Sequence, residues 1–126
     1  MKKELKDYLH LYLGCGLQVL ATQEIVLFDE ICLNHKYPVW STQHGYLYSE
    51  IKPMLRPLSD MTDHEAVDYM LITNPKTKAN DVRRKGCIEY IQETGLLPQE
   101  FVWALSKYFD LFGLIEAGLA IDKTTL

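Results

Sequence analysis

The residues of this chain that could bind a metal ion are few. Cys32 and His35 have the spacing of one zinc-ligand pair, and His10, Cys15 and His44 could supply further ligands. Structural zinc sites usually contain two closely spaced ligand pairs, whereas only one is present here. Cys32 also alternates with apolar residues of a predicted strand, where a buried free cysteine needs no ligand role. We therefore predict that the chain binds no metal.

The sequence also shows no recognisable catalytic constellation. A cysteine nucleophile needs a neighbouring base, and Cys15 and His10 lie on one predicted strand with their side chains on opposite faces. Neighbouring carboxylates, which are common on ordinary surfaces, occur at Asp29 and Glu30 and at Asp60 and Asp63. The sequence contains no glycine-rich phosphate loop, nucleophile elbow or HExxH motif. We predict a non-enzymatic protein without a cofactor.

Five cations fall within ten residues, a stretch that we call the basic segment (residues 76–85): Lys76, Lys78, Arg83, Arg84 and Lys85. On a loop that leads into a helix they could contact phosphates or an acidic protein. The simpler interpretation is a solvated helix face with Asp81 and Glu89 as local partners. The formal net charge of −4 argues against nucleic-acid binding over the whole surface. Nucleic-acid binding by the basic segment is therefore the alternative function.

Aromatic residues indicate a different kind of surface. Four of them surround His44-Gly45, the predicted turn of a β-hairpin: Tyr37, Trp40, Tyr46 and Tyr48. If the strands alternate, some of these side chains face outward, and Tyr and Trp dominate the energetically decisive parts of protein interfaces. Coverage by helices is the competing interpretation. The sequence thus predicts a partner-binding surface on this hairpin.

The stretch YLHLYLGC, Tyr8 to Cys15, bears on the compartment because a lipoprotein signal also places an apolar run before a cysteine. The charges before it are mixed in sign, and His10 interrupts the run. Leu9, Leu11 and Leu13 instead alternate with polar or aromatic residues, which predicts a strand. We therefore expect an unprocessed protein of the cytoplasm, where three unpaired cysteines would remain free thiols.

Length and composition predict one domain spanning residues 1–126. The chain contains 48% hydrophobic and 24% charged residues, a globular composition, and it is too short for two ordinary domains. No apolar run approaches the roughly 20 residues needed to cross a bilayer.

Residues 1–58 are predicted to form mainly strands. Leu17–Ala21 follows a bend at Gly14 and Gly16, and a strand from Ile25 to Leu33 would turn its apolar residues to one face. Val39–Gln43 and Tyr46–Ser49 would pair across the hairpin turn. Pro53 and Pro57 limit residues 50–56 to a short or edge strand.

Residues 59–126 are predicted to form three to four helices. Thr62 and Glu65 form a capping-box pattern, Asn80 could cap a second helix that Gly95 ends, and Pro98 suits the first turn of a third. Asp110 could cap a short fourth helix over 111–117. The predicted class is α+β, a small antiparallel sheet or partly open barrel followed by helices.

Two stretches, IKPMLRPLSDMT (residues 51–62) and FDLFGLIEAGLAID (residues 109–122), resemble small uncharacterised proteins of Bacteroidetes phages and prophages. In that family a YLxxxLxC-like strand leads into KPILRPLSDLT, and the chain closes with FDxFGLIExGLAID. The resemblance implies kinship without supplying a catalytic residue. Physically, Arg56 and Asp60 could form a two-pronged pair that fixes the corner between strand and helix, and core packing is the simpler interpretation of the closing motif.

These observations together predict a phage-type accessory protein that binds another protein, of the host or of the phage, in the bacterial cytoplasm. Nucleic-acid binding through the basic segment is the main alternative. Self-association is the third, because an exposed hairpin or edge strand can pair with its own copy.

Overall fold

The computed structural model describes residues 3–78, 80 and 82–125, and it confirms the α+β class. Within this part of the chain the strands are β1 (Gly16–Val19), β2 (Ile25–Leu27), β3 (Glu30–Ile31), β4 (Val39–Ser41), β5 (His44–Tyr46), β6 (Ile51–Leu55) and β7 (Ile121–Asp122). The α-helices are α1 (Asp63–Thr73), α2 (Arg84–Thr94) and α3 (Pro98–Ser106). Among these strands and α-helices, β7 is the one that lies outside the predicted division into a strand half and a helix half.

The first sheet has the strand order β2-β1-β6-β7 and is mixed, because β7 runs parallel to β6. Of the two predicted alternatives, a short or an edge strand, the structure shows the short one, because β6 has five residues and lies between β1 and β7. The Leu20 N–H donates to the Glu50 carbonyl, so alternation turns the nitrogen of Pro53 away from β1. The nitrogen of Pro53 therefore faces the side of β6 on which β7 lies, and β7 begins only opposite Met54. Because no strand lies opposite Pro53 on that side, its lack of an N–H costs no hydrogen bond of the sheet.

The second sheet has the order β3-β4-β5 and is antiparallel. The predicted hairpin is confirmed, but its turn lies at Thr42 and Gln43, and His44 and Gly45 belong to β5. Thr42 adopts a left-handed φ of 56°, and its N–H donates to the Asp29 carboxylate. Glycine is required at position 45 for space, because an added Cβ would lie 2.8 Å from Tyr37 Cβ.

The strand predicted at Tyr8–Cys15 is wrong. Two 3₁₀ turns, Leu5–Asp7 and Leu9–Tyr12, occupy this region. Leu9 and Tyr12 are both fully buried, and their spacing of three residues puts them on one side of a 3₁₀ turn. The Tyr12 hydroxyl donates to the Phe109 carbonyl at 2.7 Å.

The single strand predicted from Ile25 to Leu33 is also wrong. The chain divides between β2 and β3 at Phe28, which is fully buried, whereas the side chains of Ile25, Leu27 and Leu33 are 53%, 57% and 72% exposed. The Phe28 N–H donates to the Cys15 carbonyl, while its own carbonyl accepts from the Gly14 N–H. These bonds place both Gly14 and Cys15 opposite Phe28, which is a bulge on the β1 side. The next residue, Asp29, donates its N–H to the Trp40 carbonyl in the second sheet at 2.9 Å.

The helices follow their sequence signals closely, with one exception at the start of α2. Thr62 and Glu65 form the predicted capping box of α1, Gly95 ends α2 with φ of 77°, and Pro98 begins α3. Asn80 does not cap α2, which begins at Arg84 with Arg83 in the N-cap position.

The fourth predicted helix does not form, because residues 111–120 adopt turns. Asp110 still organises this segment, since its carboxylate accepts hydrogen bonds from the N–H groups of Phe112, Leu114 and Ile115 at 3.3, 2.9 and 2.9 Å. Leu114 is fully buried, so the closing motif contributes to the core as predicted.

Two clusters of buried side chains form the core. The first lies against the first sheet and includes Leu9, Leu17, Ile51 and Leu55. The second lies among the helices and includes Met61, Ala66, Tyr69, Cys87, Ile91, Ala104 and Phe109. Within the described residues no helix has the length and apolar character needed to span a bilayer.

Candidate functional site

Among the described residues, Arg56 has the side chain with the most hydrogen bonds, and the predicted pair with Asp60 is present. Its Nε donates to Asp60 Oδ2 at 2.7 Å, and Nη1 and Nη2 donate to the two carboxylate oxygens of Glu65, each at 2.7 Å. The remaining donors reach the carbonyls of Lys107 and Asp60 at 3.4 and 3.0 Å. All five N–H donors of the guanidinium are therefore used.

The electrostatics of this corner show how tightly it is held. The hydrogen bonds from Arg56 lower the pKa of Glu65 from 4.5 to about 2, and the bond to Glu65 raises the pKa of Arg56. The guanidinium also lies 4.5 Å from the ring centre of Phe109, within cation–π range. The sequence identified Glu65 only as a capping residue. Its ion pair with Arg56 was not predicted, because no sequence pattern indicates it.

A cavity of about 490 Å³ lies beside this corner and is lined by Arg56, Asp60, Lys107, Tyr108 and Lys123 among others. Because all five donors of Arg56 are used, polar contacts to a ligand would come from other lining side chains, such as Ser106, Lys123 and Thr124. The hydrogen bonds of Arg56 therefore hold β6, α1 and the end of α3 together.

The two stretches that carry the family resemblance meet in space. β6 pairs with β7, and Arg56 forms a bridge with Phe109. The Asp110 N–H donates to the Arg56 carbonyl at 2.8 Å. Both motifs thus serve one packing arrangement, which favours the structural interpretation of each.

The predicted aromatic surface is divided between two faces of the second sheet. Val39 is buried and pairs with Tyr46, so Tyr46 points toward the core, and Tyr48 packs there as well. Burial raises the pKa of Tyr48. Trp40 and Tyr37 lie on the outer face instead, beside a third residue with an aromatic ring.

That third residue is His35, which the sequence offered as a metal ligand. Its ring lies 5.1 Å from that of Trp40 in an edge-on arrangement and 6.4 Å from that of Tyr37. Trp40 also covers Gly45, whose absent side chain leaves room for the indole. Three aromatic rings therefore remain as an outward cluster, of which Tyr37 is 37% exposed.

The apolar surface that sequence reasoning missed lies on β2. This strand is an edge of the first sheet, since it pairs with β1 alone among the described strands. Ile25 and Leu27 project from its outer face, and Leu27 stands opposite Gly16, which in turn lies against Met54. The sequence pattern placed Ile25 and Leu27 on one face of a strand, but the alternation did not show that this face is exposed.

The basic segment is exposed at the start of α2. Arg84 donates to the Met61 carbonyl at 3.2 Å and lies 3.9 Å from the Asp63 carboxylate, whereas Arg83 donates to the carbonyls of Asn80 and Val82. Asp81, the predicted local partner of these cations, lies outside the described residues. Lys76 and Lys78 are exposed on the preceding loop, and Lys85 on the helix.

The candidate metal ligands do not converge. Among the described residues no three His, Cys, Asp or Glu side chains are grouped as a metal site. Cys32 Sγ lies 3.7 Å from Glu30 Oε1, and His35 Nδ1 accepts the Tyr37 N–H at 3.0 Å. Burial raises the pKa of Cys15 to about 12, which disfavours the thiolate that a nucleophile or ligand requires.

Comparison of the chain with protein-family models, with curated proteins and with solved structures finds no match. Function is therefore inferred from the surfaces just described. Three of them are candidates: the exposed face of the edge strand β2, the aromatic cluster on the second sheet, and the basic segment at α2.

Proposed function

We propose that the chain is a non-enzymatic protein-binding module whose contact surface is the outer side of the strand half. The observation that carries this proposal is the edge strand β2, where Ile25 and Leu27 are both more than half exposed on one face. Burying such side chains stabilises a complex by about 25 cal/mol per Å² of apolar surface. Exposed apolar residues in a contiguous patch mark interaction sites.

The distribution of the other exposed apolar side chains along the chain also favours the strand half. Of the eleven large apolar residues that are exposed in the described part of the chain, seven fall between residues 13 and 47: Leu13, Leu20, Ile25, Leu27, Leu33, Tyr37 and Leu47. The other four are spread over the helix half: Leu71, Tyr90, Leu97 and Val102. The strand half therefore presents the denser apolar surface.

The biological setting that we propose rests on the resemblance to phage and prophage proteins of Bacteroidetes. Small accessory proteins of this kind would act in the cytoplasm of the bacterial host and bind a host or phage protein. No cofactor enters this proposal, because binding requires only the surface.

The test is affinity capture from a nuclease-treated lysate of a Bacteroidetes host. We expect a protein partner to be retained by the wild type and lost by the double variant Ile25→Thr and Leu27→Thr, which keeps strand-forming residues. The matched control is Leu97→Thr with Val102→Thr, since those residues are similarly exposed, at 55% and 67%. Equal loss in both variants, or capture of nucleic acid alone, would contradict the proposal.

Nucleic-acid binding by the basic segment is the second candidate, and the charge pattern of α2 is the observation that favours it. Arg83, Arg84 and Lys85 lie at the N-terminal end of the helix, where the macrodipole disfavours cations, and no acidic residue occupies its first turn. A pattern that weakens the helix is expected where a residue serves binding. Reversing the three charges would abolish salt-sensitive binding to DNA or RNA and leave a contact through β2 intact.

A further inference from the structure

We infer that β2 binds its partner by strand addition, and that the partner segment is an extended peptide with alternating apolar residues and basic residues at its ends. This inference rests on the proposed protein-binding function and specifies the binding mode and the chemistry of the partner. Its three supports are the free backbone edge of β2, the apolar side chains above that edge, and the acidic residues around it.

The backbone edge follows from the hydrogen bonds between β1 and β2. The Val19 N–H donates to the Glu24 carbonyl at 2.8 Å, and the Phe28 N–H donates to the Cys15 carbonyl at 2.9 Å. Since alternate residues of an antiparallel strand direct their polar groups to the same side, Val26 also faces β1. The N–H and C=O groups of Ile25 and Leu27 face outward, and an added strand would pair with them.

The side chains above this edge determine what the added strand carries. Ile25 and Leu27 occupy the outer face of the sheet, and Leu27 begins an apolar row that continues across Gly16 to Met54 and Ile121. Apolar residues of an added strand that stand opposite Ile25 and Leu27 would form cross-strand pairs, each contributing about 0.2–1 kcal/mol. Alternate residues of the same peptide would face the opposite side, so the expected pattern has period two.

The charges around β2 select the ends of the peptide. Glu24 precedes the strand, Asp29 and Glu30 follow it, and all three residues are exposed. An extended segment with lysine or arginine at each end would place opposite charges beside them. A second copy of this chain would instead bring three further carboxylates to the same contact, which disfavours self-pairing through β2.

The probe for this inference is a synthetic peptide with three Thr-Val repeats between two pairs of lysines, compared with the same repeats between two pairs of glutamates. Binding is followed by amide NMR spectra of the ¹⁵N-labelled full chain at low ionic strength. We expect the lysine peptide to bind about ten-fold more tightly than the glutamate peptide and to shift the amides of Ile25 and Leu27 most. Equal affinity of both peptides, or shifts centred on α2, would overturn the inference.

Two sets of variants separate the contributions of backbone and charge. Leu27→Pro removes an outward N–H that makes no bond to β1, so we expect loss of peptide binding, whereas Leu27→Thr keeps the N–H and weakens binding less. Glu24→Lys with Glu30→Lys should abolish the preference for the lysine peptide. The matched control is Glu89→Lys with Glu93→Lys on α2, both exposed, which should retain it.

Protein binding and strand addition are distinguished by different results. If the amide NMR spectrum of Leu27→Pro shows that this variant does not fold, the variant Glu24→Lys with Glu30→Lys alone tests the inference. A lysate protein that depends on Ile25 and Leu27 but binds Leu27→Pro as well as Leu27→Thr would refute strand addition while leaving the protein-binding function in place.

Discussion

Arg56 joins three elements through side-chain and backbone contacts, and its energetic role can be tested directly. Its side chain is 14% exposed and that of Glu65 is 10% exposed, so removal of the guanidinium leaves a largely buried carboxylate without its partner. We expect Arg56→Ala to lower the free energy of unfolding by about 3–5 kcal/mol. Denaturant titration would measure this change.

The conservative variant distinguishes geometry from charge. Arg56→Lys keeps the positive charge but cannot supply the fork that bonds Asp60 and Glu65 together, so we expect it to recover only a minor part of the lost stability. The control Lys85→Ala removes an exposed cation and should change stability little. Full recovery in Arg56→Lys would show that charge alone suffices.

The same ion pair predicts an acid-sensitive step in stability. Because the folded chain holds the pKa of Glu65 near 2, against an ordinary value of 4.5, the contribution of Glu65 is complete above pH 4.5. It is lost as the pH falls from 4.5 to about 2, and it amounts to about 3 kcal/mol. Glu65→Gln should flatten this part of the stability profile. An unchanged slope in that variant would contradict the assignment.

The element most affected by unfavourable charge is α2. Lys85 lies in its first turn, where an acidic residue is favoured, and Glu93 lies in its last turn, where a cation is favoured. We expect Lys85→Glu and Glu93→Lys each to raise the free energy of unfolding by about 0.5–1 kcal/mol. Chemical denaturation of the two variants measures this. A loss of stability in Lys85→Glu would mean that Lys85 makes a structural contact.

Elements with local signals could be predicted from the sequence, and those that depend on distant partners could not. The capping box at Thr62, Gly95 after α2 and Pro98 at the start of α3 are local, and each is confirmed. The segment from Tyr8 to Cys15 alternates like a strand, yet Tyr12 bonds to Phe109 across the molecule. No local pattern contains that contact.

The candidate sites show the same limit. The pair between Arg56 and Asp60 is four residues apart and was visible, whereas the exposure of Ile25 and Leu27 depends on which strand lies at the edge. Edge position is a property of the sheet order, which β7 and the closing motif complete. Alternation identifies the two faces of a strand without identifying the buried one.

At the scale of the whole molecule, the chain places its basic segment and its main apolar surface on different halves. The strand half carries most of the exposed large apolar residues, and the helix half carries the basic segment. The corner at Arg56 links the two halves through β6, α1 and the residues after α3. A partner that contacts one surface therefore need not contact the other.

The most direct measurement is photo-crosslinking in a nuclease-treated host lysate, with a photoreactive residue placed at Leu27, at Tyr37, at Lys85 or at Val102 in separate variants. The protein-binding account predicts adducts to a protein from positions 27 and 37 and none from position 102. Adducts from position 85 alone, absent after nuclease treatment and present without it, would contradict the account and establish the basic segment as the binding surface.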